Sequence, residues 1–315
     1  MTEIPFVKDL DFDVGVPDQL SPLVRRVIAG NGGPFTYTGT GVYLIGKQNS
    51  AIAVIDPGPD DRDHLNALER AIGDSKVSHI FITHTHADHC GGARAFAKCV
   101  SAPIYGFGGH PADNADDDAP ALDEGGDYRF QPDELLKDGD IVFGGDWSLE
   151  AIHTPGHLSN HLCFSLKEEK ALFSGDHIMG WATSVIAPPH GNMADYLSSL
   201  EKILQRDEQR YYPTHGAPIE EPHRFVRAVR AHRHIRDGQI LDQLAQGKSR
   251  IMDMVPIMYA GVNPILHGAA ALNVLAHLIR LVEIGSVTAN GELGLETTFT
   301  LAAQKEHNVR LTHNQ

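Results

Sequence analysis

The chain has 315 residues, 42% of them hydrophobic, and a net charge of −15 with histidine neutral, which is enough chain for one large domain or two around a sizeable core. The acidic balance disfavours nucleic acid or an anionic membrane surface as partner unless basic residues cluster locally, and no apolar run is read as approaching the roughly 18 residues of a membrane span. Three cysteines (Cys90, Cys99 and Cys163) without a CxxC pair, and an acidic N-terminus lacking an apolar signal core, exclude a disulfide framework and predict a cytoplasmic protein.

Taken in order, residues 23–29, 41–45 and 51–56 read as short strands separated by Gly and Asn turns. Pro57-Gly58-Pro59 ends the third, and residues 64–72 have helical periodicity. Residues 77–83 form another apolar strand, which delivers the stretch FITHTHADHC at 81–90; a helix then begins at Ala93. Residues 111–140 hold eleven acidic residues against Arg129 and Lys137, and their first half has little that could pack. That half reads as an exposed loop, with a cap over a neighbouring site as the alternative. Strands resume at 140–143 and 147–153, a hairpin follows at 162–166 and 171–174, a helix at 195–205, and a short strand leads into Pro213-Thr214-His215-Gly216. After Pro222 three helical stretches (223–245, 251–259 and 264–284) precede two strands around Asn290-Gly291. Strands interleaved with helices point to an α+β protein with stacked sheets and helices outside. The composition shift places a domain boundary near Pro222, giving 1–222 and a smaller winged-helix-like 223–315.

Within 81–90, His84, His86, Asp88 and His89 occupy six positions at a strand end, a metal-ligand set that needs partners from elsewhere. Partners of the right chemical type stand at later strand ends: His157 in HTPGH, Asp176 in SGD, His215 in PTHG and, less suitably, His153. One ion would take His84, His86 and His157, a second Asp88, His89 and His215, with Asp176 reaching both. Histidine and carboxylate donors suit zinc, with iron or manganese also compatible.

The order HxHxDH, then TPGH, SGD and PTHG, resembles the metallo-β-lactamase superfamily, and Val54-Ile55-Asp56-Pro57-Gly58 is similar to its early strand-end motif. The resemblance implies an αββα metallo-β-lactamase sandwich and a structural role for Asp56. The helix segment His232-Arg233-His234-Ile235-Arg236-Asp237-Gly238-Gln239-Ile240-Leu241 resembles the HRxxRExQIL helix of β-lactamase-like hydrolases that carry a C-terminal winged helix, with Asp237 where Glu is usual. That group includes a mitochondrial single-strand endoribonuclease, and the wider superfamily includes glyoxalase II-like hydrolases and lactonases.

Two ions sharing a water lower its pKa towards neutrality, so the expected activity is hydrolysis by a metal-bridging hydroxide. The expected substrate is a small acyl compound: an ester, thioester or lactone. Alternatives are phosphodiesterase action on single-stranded RNA, and a winged-helix nucleic-acid-binding or regulatory protein. Asp88 is the candidate proton relay to the leaving group.

His190, at the end of the stiff Pro188-Pro189 loop, is a candidate substrate contact; a turn packed on Tyr196 is the plainer reading. His161 and His177 are candidate partners of the ligands, and Cys90 reads as a small buried residue. Arg224, Arg227, Arg230, Arg233 and Arg236 recur at a spacing of three, which drifts about 60° per step round an α-helix and cannot face one polyanion. The wing at 288–298 holds two glutamates and no Lys or Arg, so the C-terminal unit is expected to pack on the catalytic domain or form a homodimer contact rather than read DNA.

Overall fold

The computed structural model describes residues 3–111 and 125–303, so the first part of the acidic loop lies outside the described residues. Seven strands form one sheet in chain order: β1 (Asp18–Gln19), β2 (Val24–Ile28), β3 (Gly41–Ile45), β4 (Ala51–Ile55), β5 (Lys76–Phe81), β6 (Ile104–Gly106) and β7 (Glu134–Leu135). The first four run antiparallel, and β4 to β7 are parallel. A second sheet has the order β12-β11-β10-β9-β8, from β8 (Ile141–Phe143), β9 (Ser148–His153), β10 (Leu162–Leu166), β11 (Ala171–Gly175) and β12 (Arg210–Pro213).

Both faces of each sheet are covered, which explains the near-continuous apolar runs. Along β4, Ile52 and Val54 pack outward under helices α1 (Arg62–Ile72) and α3 (Ala93–Val100), while Ala53 and Ile55 face the second sheet. Along β10 and β11, Cys163 and Leu172 face helices α4 (Met193–Leu204) and α5 (Pro222–Ala245); Leu162, Phe164 and Phe173 fill the space between the sheets with Tyr43, Phe81 and Tyr212. Each such side chain contributes roughly 1.5–3 kcal/mol of burial. The Asp61 carboxylate caps α1 through the His64 N–H (2.7 Å), and the Asn192 side chain caps α4 through the N–H groups of Ala194 and Asp195. The layers are helix, sheet, sheet, helix.

The C-terminal unit comprises α6 (Ile251–Met258), α7 (His267–Glu283) and the antiparallel pair β13 (Val287–Asn290) and β14 (Thr298–Leu301). Its core, including Ile251, Val274, Leu278 and Phe299, also takes Ile240 and Leu244 from the end of α5. The start of α5 belongs elsewhere: Phe225, Val226 and Val229 lie in the core of the second sheet. The change of character at Pro222 therefore marks the first turn of a helix shared by two cores. Contrary to the reading of the sequence, one stretch, Pro264–Glu283, is long and apolar enough to cross a membrane, with mean hydropathy 1.6, and half of it is buried inside the protein. Its apolar residues make the C-terminal core.

Two histidines are held neutral beside this helix pair. Burial lowers His232 to about 4, reinforced by the Arg233 and Arg236 cations, and burial also lowers His277. The unfolded chain binds these protons near the ordinary histidine pKa of about 6.5 and the folded chain does not. The stability they confer is present above that range and is lost as pH falls towards 4. His232→Gln is expected to flatten the decline of the urea midpoint between pH 6.5 and 4.5; an unchanged slope would contradict this.

Candidate metal centre

The ends of β4, β5, β11 and β12, with the β9–β10 loop, meet at one edge of the two sheets. Asp56 leaves β4 in a left-handed conformation, φ 49°, and turns its carboxylate under the histidine run. Its Oδ1 accepts the Thr83 N–H (2.8 Å), and its Oδ2 accepts the Thr83 hydroxyl (2.6 Å) and the His89 Nδ1–H (2.8 Å). His86 is still extended, but α2 (Ala87–Cys90) is one helical turn. The change of backbone at residue 87 sends Asp88 and His89 in a different direction from His84 and His86. His157 follows Gly156, whose φ is 140° and where a Cβ would lie 2.4 Å from the Tyr196 Cα, so only glycine lets this loop approach α4.

Each outer contact fixes a tautomer. The Val185 carbonyl lies 2.7 Å from His157 Nδ1, and a carbonyl only accepts, so that nitrogen carries the proton and Nε2 offers its lone pair. The Gly39 carbonyl does the same for His215 Nδ1 at 3.2 Å. The Thr83 hydroxyl, having given its proton to Asp56, accepts from His84 Nδ1 at 3.0 Å. The inward nitrogens then converge. His86 Nδ1 is 3.0 Å from His84 Nε2 and 3.1 Å from His157 Nε2. Beside them, Asp88 Oδ2 is 3.3 Å from His89 Nε2 and 3.1 Å from His215 Nε2. Asp176 faces both groups: Oδ1 lies 3.6 Å from His89 Nε2 and 3.5 Å from His215 Nε2, and Oδ2 lies 3.9 Å from His157 Nε2. Among the described residues, three sets have donor atoms within 4.8 Å of one another: His84, His86 and His157; His84, His89 and Asp176; Asp88, His89 and His215.

These donors fit divalent cations. One proton on His86 Nδ1 cannot satisfy two facing lone pairs as fully as an ion can, and among the described residues no hydrogen bond reaches the buried His89 Nε2 or Asp176 Oδ1. Burial, helped by the neighbouring imidazoles, drives the His84 pKa well down. Against the penalty of burial, the Asp88, Asp176 and Asp56 carboxylates raise His89 well above the ordinary value, and Asp176 and Asp88 raise His215. The same imidazoles, again against burial, hold the Asp88 and Asp176 carboxyls below the usual range. The half with two carboxylates thus draws positive charge, while His84 on the other side rejects protons.

The remaining sequence candidates divide. His190 does not line the small cavity over the cluster, whose wall includes Phe35, Thr36, Met179 and Val185; its ring packs 4.9 Å from that of His110. His153 stands outside the cluster, its Nε2 donating to the Ser159 carbonyl (2.8 Å) and its ring stacked on Phe107. Cys90 is buried. His161 Nε2 accepts the Asp176 N–H at 3.2 Å, and His177 packs on Tyr196. Four of the α5 arginines have partners within the chain: Arg224 with Glu221, Arg230 with Glu201, Arg233 with the Ser184 carbonyl, and Arg236 with the Met258 carbonyl. Three groups escape sequence reading: Thr40, whose hydroxyl donates to Asp88 Oδ2 (3.2 Å), and the Val185 and Gly39 carbonyls. A backbone acceptor leaves no mark in residue type.

Asp56→Ala removes the acceptor that orients His89 and Thr83 together. Metal affinity is expected to fall roughly 10- to 100-fold, measured by competition with a chromophoric chelator; wild-type affinity would remove Asp56 from the centre.

Residues 38–215 match the profile of the metallo-beta-lactamase superfamily, and residues 251–295 match that of the beta-lactamase associated winged helix domain. A beta-lactamase-like protein 2 homolog from Caenorhabditis elegans is 33% identical over 86% of this chain and 88% of its own length. An atrochrysone carboxyl ACP thioesterase from Cryptosporiopsis sp. is 29% identical over 74% of this chain; the match spans 66% of that enzyme, just under two thirds. The crystal structure of a beta-lactamase domain protein from Burkholderia ambifaria superposes with TM-score 0.76 at 19% identity, covering 93% of this chain and 96% of the other.

Proposed function

The chain belongs to the metallo-beta-lactamase superfamily and is a metal-dependent hydrolase with a C-terminal winged-helix domain; on that premise we propose that it holds two divalent ions and hydrolyses a small acyl thioester, with esters and lactones in the same chemical class. The observation that carries the two-ion reading is the convergence of lone pairs of fixed tautomer beside two buried carboxylates. His84, His86 and His157 would hold one ion and Asp88, His89 and His215 the other, with Asp176 serving both; the donor types favour zinc. When bound, such ions supply a water that ionises near neutral pH and a Lewis acid for the acyl carbonyl.

The chain's own groups do the rest. The second histidine nitrogens, tied to Asp56, Thr83, Val185 and Gly39, keep the ring orientations fixed. Asp88, kept ionised, takes the proton of the attacking water and returns it to the departing thiolate sulfur, which yields a carboxylic acid and a thiol. The thioesterases among similar proteins support the acyl class. The charge of −15 and the pairing of four of the five α5 arginines weigh against a polyanion such as RNA.

The test is turnover by the metal-loaded protein of acyl thioesters, lactones, bis(p-nitrophenyl) phosphate and a labelled RNA oligomer. Thioester hydrolysis with intact RNA is expected. RNA cleavage with a kcat/KM equal to or above that for thioesters would replace this reading with the nuclease one. Asp88→Asn with full metal content is expected to lose turnover; full activity would remove the proton role.

A further inference from the structure

The segment Ser184–Ile186 connects two parts of the metal centre. The Val185 carbonyl holds His157 Nδ1 at 2.7 Å, and the Ser184 hydroxyl donates to the backbone carbonyl of Asp176 at 2.5 Å. This segment belongs to no helix or strand, so it has no ladder of its own to keep it in place. Its neighbours on the other side are two residues of the C-terminal helices. Arg233, on α5 and fully buried, donates from Nη2 to the Ser184 carbonyl at 2.6 Å. Asn273, on α7 and 8% exposed, accepts the Ile186 N–H on Oδ1 at 3.3 Å and an Arg233 Nη1–H on the same oxygen at 3.4 Å. Both of those groups can only donate, which fixes this end of the side chain as the acceptor and leaves the amide N–H to donate to the Tyr259 hydroxyl at 3.2 Å.

We propose that Arg233 and Asn273 are positioning residues of the catalytic site: from the shared helix α5 and from α7 of the C-terminal unit they clamp the backbone on both sides of Val185, so that its carbonyl sets the tautomer and aim of His157. The inference rests on the metal-site reading above. The physical case is that a lone carbonyl orients an imidazole only as well as its own peptide is held. Here the flanking carbonyl is gripped by a rigid planar guanidinium and the flanking N–H by an amide oxygen that the same guanidinium holds in place. Arg233 gains its place from Tyr196, over whose ring its guanidinium carbon sits at 5.0 Å. The winged-helix domain thereby supplies part of the hydrolase site without any residue touching an ion or substrate.

Linkage makes the clamp reciprocal: if the C-terminal unit favours metal at His157, metal there must favour the clamped state of the C-terminal unit. Two measurements follow. In the first, metal-free protein is titrated with Co(II), read by its visible absorption and by chelator competition. Asn273→Leu is expected to weaken one of the two binding steps about 10-fold and leave the other within twofold. Asn273→Asp, which keeps the acceptor oxygen, is expected to recover most of that loss. Tyr259→Phe, which loosens Asn273 only on its far side, is expected to bind as wild type. Two wild-type binding steps in Asn273→Leu would overturn the clamp, and absence of two binding steps in the wild type would instead overturn the metal-site reading. The second needs no variant and decides the matter if Asn273→Leu does not fold. Hydrogen exchange of the wild type is compared with and without zinc. Slowed exchange in peptides covering residues 267–283 is expected; protection confined to residues before 222 would overturn the proposal.

Discussion

Asp176→Ala is expected to lower thioester turnover at least about 10³-fold, close to 4 kcal/mol of barrier, and to reduce metal content below two ions per chain. Among the described residues, Asp176 alone directs separate oxygens at both halves of the centre, Oδ1 towards His89 and His215 and Oδ2 towards His157. Its backbone is held independently, through the N–H donated to His161 and the carbonyl that accepts from Ser184. The truncation therefore removes the carboxylate proposed to serve both ions without freeing the loop. Melting of the metal-free protein is expected to fall, because His89 and His215 lose a buried carboxylate partner. Metal analysis by mass spectrometry with steady-state kinetics checks both parts. Retention of two ions and of activity within tenfold would show that the carboxylate does not join the halves.

The second large effect lies far from the chemistry. Asp237 accepts His277 Nδ1–H at 2.7 Å and Arg280 Nη1–H at 2.9 Å, and so joins α5 to α7. Asp237→Ala leaves a buried imidazole and a mostly buried guanidinium without their acceptor. Breaking such a pair costs roughly 3–5 kcal/mol, and the partial exposure of Arg280 places the expected loss near the lower end, about 3 kcal/mol. Chemical denaturation followed through the C-terminal helices measures it. A loss below about 1 kcal/mol would mean that the two helices are held by their apolar contacts alone. Asp237→Asn, which keeps one acceptor oxygen, is expected to lose less.

The elements legible from sequence are those with a strong period or a hard stop. β4 reads cleanly because Pro57-Gly58-Pro59 ends it, and β10 with β11 because their apolar runs flank a short polar turn. β1, β6 and β7 escape because two or three residues carry no period. At the site, the approach of His84, His86, Asp88 and His89 is local and visible, and His157, Asp176 and His215 follow from the chemistry those four leave unfinished. What holds them is mostly not visible. The left-handed turn at Asp56 is a conformation that its residue type does not demand, and the supports of His157 and His215 are peptide carbonyls. The long helix α5 was legible as a helix, but its two allegiances were not, since a helix packed on two cores along its length presents no single apolar face.

That double allegiance fixes how the protein can move and how it can be divided. A rod with one end embedded in each unit leaves no hinge between them, so the winged helix is carried rigidly with the sheet it rests on. Cutting the chain at Pro222 would strip Phe225, Val226 and Val229 from the catalytic core, and cutting after Ala245 would leave Ile240 and Leu244 uncovered. The piece that can be exchanged between chains without exposing a core is the whole from sheet to wing.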